Sequence, residues 1–188
     1  MKKILLTGFE PFGGLKTNPS MRVLDNINQP NVEKLLLPVS YKRSREILIN
    51  KISEYKPDII LSLGLASSAT KIRIEKIGIN FQGAKAKDND GILITDSKIS
   101  DGPDGLITNF NTSDIIRLLE ANNIPVELSL SAGGYICNTI YYTGLEYNNK
   151  NALFIHLPNS KEEDINGFEI NVFIDAVKKT LNYLDNVN

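Results

Sequence analysis

Cysteine and histidine each occur once in this chain, and tryptophan is absent. A single cysteine excludes an intramolecular disulfide framework and suits a reducing, cytoplasmic setting. One cysteine and one histidine cannot build a Cys/His zinc cluster, so no metal site is expected. An excess of either charge is also lacking. Lys+Arg 21 against Asp+Glu 22 leaves a net charge of −1, which argues against broad electrostatic binding to nucleic acid or to an anionic membrane surface. No apolar run approaches the roughly 20 residues that a membrane-spanning helix needs. The opening Met1-Lys2-Lys3-Ile4-Leu5-Leu6-Thr7-Gly8 meets a glycine too early for a signal peptide and reads as a first buried strand. These scarcities sharpen one idea. A Cys–His enzyme built from this chain has a single possible pair, Cys137 and His156.

Cys137 lies in the most informative stretch, Leu130-Ser131-Ala132-Gly133-Gly134-Tyr135-Ile136-Cys137-Asn138-Thr139-Ile140. The alternating run Val126-Glu127-Leu128-Ser129-Leu130 before it reads as a strand. Two glycines follow, then apolar residues at helical spacing: Ile136, Ile140, Tyr141 and Leu145. A thiol near a helix start meets unpaired amide N–H groups and the positive end of the helix dipole, both of which favour the nucleophilic thiolate. The competing reading is a small buried hydrophobe, the usual state of a lone cysteine.

The 188 residues suit one domain, 1–188, with a sizeable core. Strands are expected at residues 3–7, 33–39, 59–64, 72–80 and 152–157. Helices are expected from Asn18-Pro19-Ser20, where Asn18 is the N-cap and Pro19 the first helical residue, and over 42–55 and 170–184. A further helix begins at Thr112-Ser113-Asp114. The stretch 80–111 is polar and rich in Gly, Asp and Lys, a long loop of the kind that is often functional. Alternation of strands and helices predicts an α/β sheet covered on both faces. Ligands of such sheets usually bind at the carboxyl ends of strands. The loop 8–14, the turn before Cys137 and His156 all fall at such ends.

Three chemistries compete. Gly8, Gly13, Gly14, Lys16 and Thr17 suggest a phosphate loop, but the lysine does not directly follow the second glycine of the required spacing. With Phe9, Pro11 and Phe12 among them, these residues read better as an apolar wall for a small ligand. Glu75 stands inside the apolar alternation Ile72-Arg73-Ile74-Glu75-Lys76-Ile77. It reads either as a salt-bridge partner of Arg73 or a facing lysine, or as the acid that orients a histidine. Cys–His nucleophilic catalysis needs a base near the thiol and a partner for that base, and this chain has candidates for each role.

Four stretches resemble the pyrrolidone-carboxyl peptidases, or type I pyroglutamyl peptidases. They are Leu5-Leu6-Thr7-Gly8-Phe9-Glu10-Pro11-Phe12-Gly13-Gly14 with Asn18-Pro19-Ser20; Ile74-Glu75-Lys76-Ile77-Gly78-Ile79-Asn80; Ser131-Ala132-Gly133 through Cys137-Asn138; and Phe154-Ile155-His156-Leu157-Pro158. Their order matches, and together they span most of the chain. The resemblance implies a cysteine peptidase that removes N-terminal pyroglutamate from peptides without cofactor or metal. It implies Cys137 as nucleophile, His156 as general base and acid, and Glu75 as the residue orienting His156. Phe9, Phe12 and Tyr135 match aromatic walls of the family's lactam pocket. The implied fold is a three-layer α/β/α sandwich around a mostly parallel, mixed sheet, and the implied assembly is a homotetramer.

The chain departs from the family pattern after the third strand. Ala66-Ser67-Ser68-Ala69 stands where the family usually has Ala-Gly-Gly-Arg, Leu65 replaces the usual glutamine, and Lys85 replaces a later arginine. Leu65 and Lys85 are thereby the matched substrate-side positions. Serine adopts some glycine conformations only at a cost, so a loop held differently and a weaker enzyme are expected. The departures leave two alternatives open. One is a catalytically weak or inactive ligand-binding relative; the other is an enzyme on the same fold acting on another small molecule, such as a nucleoside phosphorylase.

Overall fold

A computed structural model describes residues 1–187. The strands that read as apolar runs form its centre. β1 (Ile4–Phe9), β2 (Val32–Leu37), β3 (Ile59–Leu65), β4 (Ile72–Glu75), β7 (Val126–Ser129) and β8 (Ala152–Leu157) make a six-stranded sheet in the order β2-β1-β3-β8-β4-β7. Every neighbouring pair is parallel except β8 and β4.

Side chains alternate between the two faces with the period of two that a strand imposes. Ile59, Leu61 and Leu63 of β3, with Leu153, Ile155 and Leu157 of β8, point into one core. Helices α1 (Pro19–Asn26), α3 (Thr112–Glu120) and α5 (Ile170–Asn186) cover it, through Val23, Leu119 and Phe173 among others. Leu5, Ile60 and Phe154 point the other way, under α2 (Tyr41–Tyr55) and α4 (Ile136–Tyr147). The result is the expected three-layer α/β/α architecture with a mostly parallel, mixed sheet.

Several boundaries differ from the sequence reading, for local reasons. β1 runs on through Gly8 and Phe9, because both stay in parallel register with Leu36 and Leu37 of β2. A side chain at Gly8 would come within 2.8 Å of the Ser20 carbonyl oxygen, so glycine lets α1 press against the strand end. The single strand expected over 72–80 breaks at Lys76. There the backbone N–H still donates to Ser129 of the main sheet, while the carbonyl accepts from Thr108. Beyond it, β5 (Ile77–Ile79) pairs with β6 (Gly105–Ile107) as a separate antiparallel ribbon. Gly78 lets this ribbon lie on α4: an added Cβ would stand 2.9 Å from Leu145 Cδ1 and 3.1 Å from Tyr142 Cα. β7 is an edge strand, which leaves Leu128 and Leu130 exposed despite their apolar alternation.

The polar stretch 80–111 is ordered by buried side chains that bond to its own backbone. Asn80 donates to the carbonyls of Ser100 and Gly102 and accepts from the amides of Ile99 and Ser100. Asp88 accepts from the amides of Tyr41, Asp90 and Ile92. Fully buried Asn138, one residue past Cys137, ties the ribbon to α4. Its Oδ1 accepts from Ile79 N at 3.1 Å, and its Nδ2 donates to Ile79 O at 2.8 Å and Phe81 O at 2.9 Å. Asn138→Ala would leave these backbone groups without partners in a dry site. We expect a loss of about 2–4 kcal/mol, seen as a lower Tm in thermal unfolding. An unchanged Tm would show that the clamp is dispensable.

Candidate active site

The parallel strands β1, β3 and β8 end on one side of the sheet, and a cavity of about 260 Å3 opens there. Its apolar wall comes from Phe9 at the end of β1, Phe12 in the following loop, Val39, Leu65 at the end of β3, Tyr135 and Ile136. Asn18, Ala66, Ser131, Ala132 and Gly133 complete the lining, with Cys137, His156 and Arg73.

Each reactive side chain is positioned by its element. His156 is the fifth residue of β8 and is nearly buried. β4 runs antiparallel beside it, with Arg73 opposite His156 and Glu75 opposite Phe154. Paired residues share a sheet face, so all four side chains point to the α4 side. Glu75, completely buried, reaches diagonally to His156, and Oε1 lies 2.8 Å from Nδ1. Phe154 packs against the imidazole with ring centroids 4.8 Å apart.

Cys137 is the second residue of α4. The N-cap residue, Tyr135, offers no side-chain acceptor to the first-turn amides. Glycines bring this helix start against the sheet. A Cβ at Gly64 would stand 2.8 Å from Cys137 Sγ and 2.8 Å from Phe154 Cζ, so only glycine leaves room for the sulfur there. Gly133 has φ +82, a left-handed conformation that glycine adopts without strain. A Cβ at Gly134 would meet Gly83 O at 2.4 Å.

Burial alone pushes the His156 pKa down. Interaction with the neighbouring Cys137 sulfur, followed by the hydrogen bond and charge of Glu75, outweighs that and raises it to about 9. The imidazole is therefore protonated at neutral pH, between Glu75 and Cys137. Such an arrangement can offer a thiolate nucleophile beside a ready acid. Tyr135, held by a 2.8 Å bond from its hydroxyl to Lys87 O, packs edge-on to Tyr41 with ring centroids 5.5 Å apart. Its own pKa is raised by burial, then by Asp88 and Cys137.

The structure brings together Cys137, His156, Glu75, Phe9, Phe12, Leu65 and Tyr135. Lys85 is exposed and is not among the residues lining this cavity. Glu75 pairs with His156; Arg73 pairs instead with Glu127, Nε to Oε1 at 2.9 Å. Ser67 and Ser68 do not carry the backbone cost expected of them, since neither has a positive φ. Their loop closes through a 2.9 Å bond from Ala69 N to Ala66 O, and Ser67, Ser68 and Ala69 line a different surface hollow with Pro158 and Phe168. Sequence reasoning missed Arg73, Asn18 and Val39 as cavity residues. Arg73 had a usable signal: it lies two residues from Glu75 and so shares its sheet face.

Known proteins resemble this chain over nearly its whole length. The family model for pyroglutamyl peptidase matches residues 2–180. Pyrrolidone-carboxylate peptidase 1 of Saccharolobus solfataricus is 36% identical over 196 residues, covering 96% of this chain and 93% of the relative. The crystal structure of pyrrolidone carboxyl peptidase from Fervidobacterium islandicum is 37% identical and superposes with a TM-score of 0.91, over 98% of this chain and 99% of that one. The pyrrolidone carboxyl peptidase of Pyrococcus furiosus, 31% identical, also gives a TM-score of 0.91 over 96% and 97% of the two chains. The chain belongs to the pyroglutamyl peptidase family, a family of cysteine hydrolases.

Proposed function

We propose that this enzyme removes N-terminal pyroglutamate from peptides through Cys137, His156 and Glu75. The observation that carries the reading is the 2.8 Å Glu75–His156 bond, with His156 and Cys137 facing one cavity that has an aromatic wall. A pyroglutamyl group has no ammonium, so its ring can enter an apolar slot while a few polar groups meet the lactam atoms. Phe9, Phe12, Leu65 and Tyr135 form that slot, and exposed Lys85 lies outside it.

In this mechanism the Cys137 thiolate attacks the pyroglutamyl carbonyl and forms a C–S bond. The resulting oxyanion lies near the uncapped amides that open α4, which point at developing negative charge. His156 gives its proton to the departing amine as the C–N bond breaks. It then takes a proton from water, whose oxygen attacks the thioester. Pyroglutamate leaves and the thiolate–imidazolium pair is restored. Glu75 holds the imidazole in place and stabilises its protonated form. The same proposal includes peptide substrates in the cytoplasm and a homotetramer; a monomer by light scattering at micromolar concentration would remove the tetramer.

A pyroglutamyl-coumarin amide should be hydrolysed, and iodoacetamide at neutral pH should alkylate Cys137 and abolish turnover. Activity surviving full alkylation would overturn the nucleophile assignment. His156→Ala should remove nearly all activity.

The pH dependence follows from the charge of His156. Its proton is the one the leaving amine receives, so kcat/KM should fall as pH rises through about 9. Glu75→Gln removes two influences that hold this proton, so the alkaline limb should move to lower pH. The same variant should lose roughly a hundredfold or more in kcat. An unmoved limb with normal kcat would leave Glu75 as a structural charge only.

A further inference from the structure

The strand order gives the cavity a direction. Along the sheet lie Phe9 on β1, Leu65 on β3, His156 on β8 and Arg73 on β4. Neighbouring strands are about 4.8 Å apart, so Phe9 and Arg73 lie on opposite sides of His156, at roughly 10 Å and 5 Å across the strands. The aromatic end suits the ring of the substrate. The end beyond His156 is therefore where the leaving amine and the residue attached to it must lie.

At that end the lining side chain is a cation. Arg73 and His156 are the lining residues able to carry charge besides Cys137, and no carboxylate lines the cavity. Arg73 is fixed from both sides by register: His156 opposite it on β8 and Glu127 opposite it on β7. Glu127 takes Nε at 2.9 Å, and among the described residues the two terminal guanidinium nitrogens make no hydrogen bond. Both side chains of the pair are about a third exposed, at 34% and 39%, so the ion pair adds little to stability. What it does is hold the guanidinium plane, with its paired outer donors available. That fork matches a carboxylate.

We propose that Arg73 sets specificity on the leaving-group side by binding a carboxylate on the residue that follows pyroglutamate, namely the α-carboxylate of a pyroglutamyl dipeptide. The inference rests on the pyroglutamyl peptidase reading above and extends it to the chain length of the preferred substrate. One residue spans about 3.8 Å between α-carbons, so the α-carboxylate of a dipeptide lies within one residue of the scissile nitrogen. A longer peptide presents a neutral amide at that point. An aspartate side chain in second position offers the same chemistry from another source.

The test compares three substrates: pyroglutamyl-alanine, its C-terminal amide, and pyroglutamyl-aspartic acid α-amide, in which only the side-chain carboxylate is free. Each is assayed with the unmodified enzyme, Arg73→Met and Arg73→Lys. The reading is the ratio of kcat/KM for free acid over amide within each protein, which cancels differences in the fraction folded. The unmodified enzyme should favour the free acid roughly tenfold, mainly through KM. Arg73→Met should bring the ratio close to one, and Arg73→Lys should keep part of it. A ratio unchanged in Arg73→Met overturns the proposal, as does an unmodified enzyme that turns over acid and amide equally. A preference that follows the aspartyl carboxylate instead overturns the α-carboxylate assignment. If pyroglutamyl-coumarin amide is not hydrolysed at all, the peptidase reading fails and this inference falls with it; hydrolysis without an acid preference sinks the inference alone.

Discussion

A carboxylate buried completely inside a sheet governs this molecule. Removing an ionised carboxylate from water costs several kcal/mol unless it is paired and hydrogen-bonded. Glu75 has one partner for that purpose, His156, at 2.8 Å, and its second oxygen makes no hydrogen bond among the described residues. The arrangement holds only if the imidazole supplies a proton and positive charge. His156 is buried as well, so its charge in turn depends on the Cys137 sulfur at the helix start. Two buried groups that would each be costly alone are tolerable as a hydrogen-bonded pair, and the pair ends at the cavity beside the Cys137 sulfur.

Backbone geometry makes this pair possible. An all-parallel sheet would place the C-terminal ends of all strands together and send the start of β4 to the far side. The antiparallel entry of β4 beside β8 instead brings residues near its start to the cavity end. Glu75 thus reaches His156 diagonally from two register pairs away, and Arg73 stands directly opposite it. The sulfur must then approach from the layer above, and space is the constraint. Gly64 clears the strand below it, Gly134 lets the turn pass close to Gly83, and Asn138 locks the helix against the β5 backbone. A methyl group at Gly64 would fall on the sulfur itself, so this glycine belongs to the active site although it carries no chemistry.

Much of this could be read from the chain because its signals are local. The buried strands 59–64 and 152–157 were continuous apolar runs, and Asn18-Pro19 announced α1 through capping chemistry that the structure bears out, Asn18 Oδ1 accepting from Ser20 N at 3.0 Å. What failed to show was decided by distant partners. The run 72–80 alternates as one strand would, and nothing local marks Lys76 as the point where its two backbone groups turn to Ser129 and Thr108. Leu128 and Leu130 carry a core pattern, yet β7 lies at the sheet edge with no strand beyond it. Lys85 matched a substrate-side position by alignment of motifs; its side chain is exposed and does not line the cavity, although its loop meets the cavity rim where Lys87 O accepts from the Tyr135 hydroxyl. Ser67 and Ser68 replaced glycines without inheriting a glycine conformation, so the expected strain has no backbone to act on.

The two ends of the cavity follow from the same strand order. A strand end packed under aromatic residues, such as β1 with Phe9 beside Phe12 and Tyr135, excludes water and suits an uncharged ring. β4 lies one strand from the sheet edge, and its neighbour β7 is half in solvent, so a charged side chain there keeps much of its hydration. Moving Arg73 to the β1 end would bury a guanidinium among phenyl rings, and moving Phe9 to the β4 end would expose one. β1 and β4 each lie one strand from a sheet edge, so the gradient from apolar to cationic across His156 follows from what covers the two strand ends, aromatic side chains at one and solvent at the other. In the proposed reaction the scissile bond falls where the two environments meet, over the strand that carries His156.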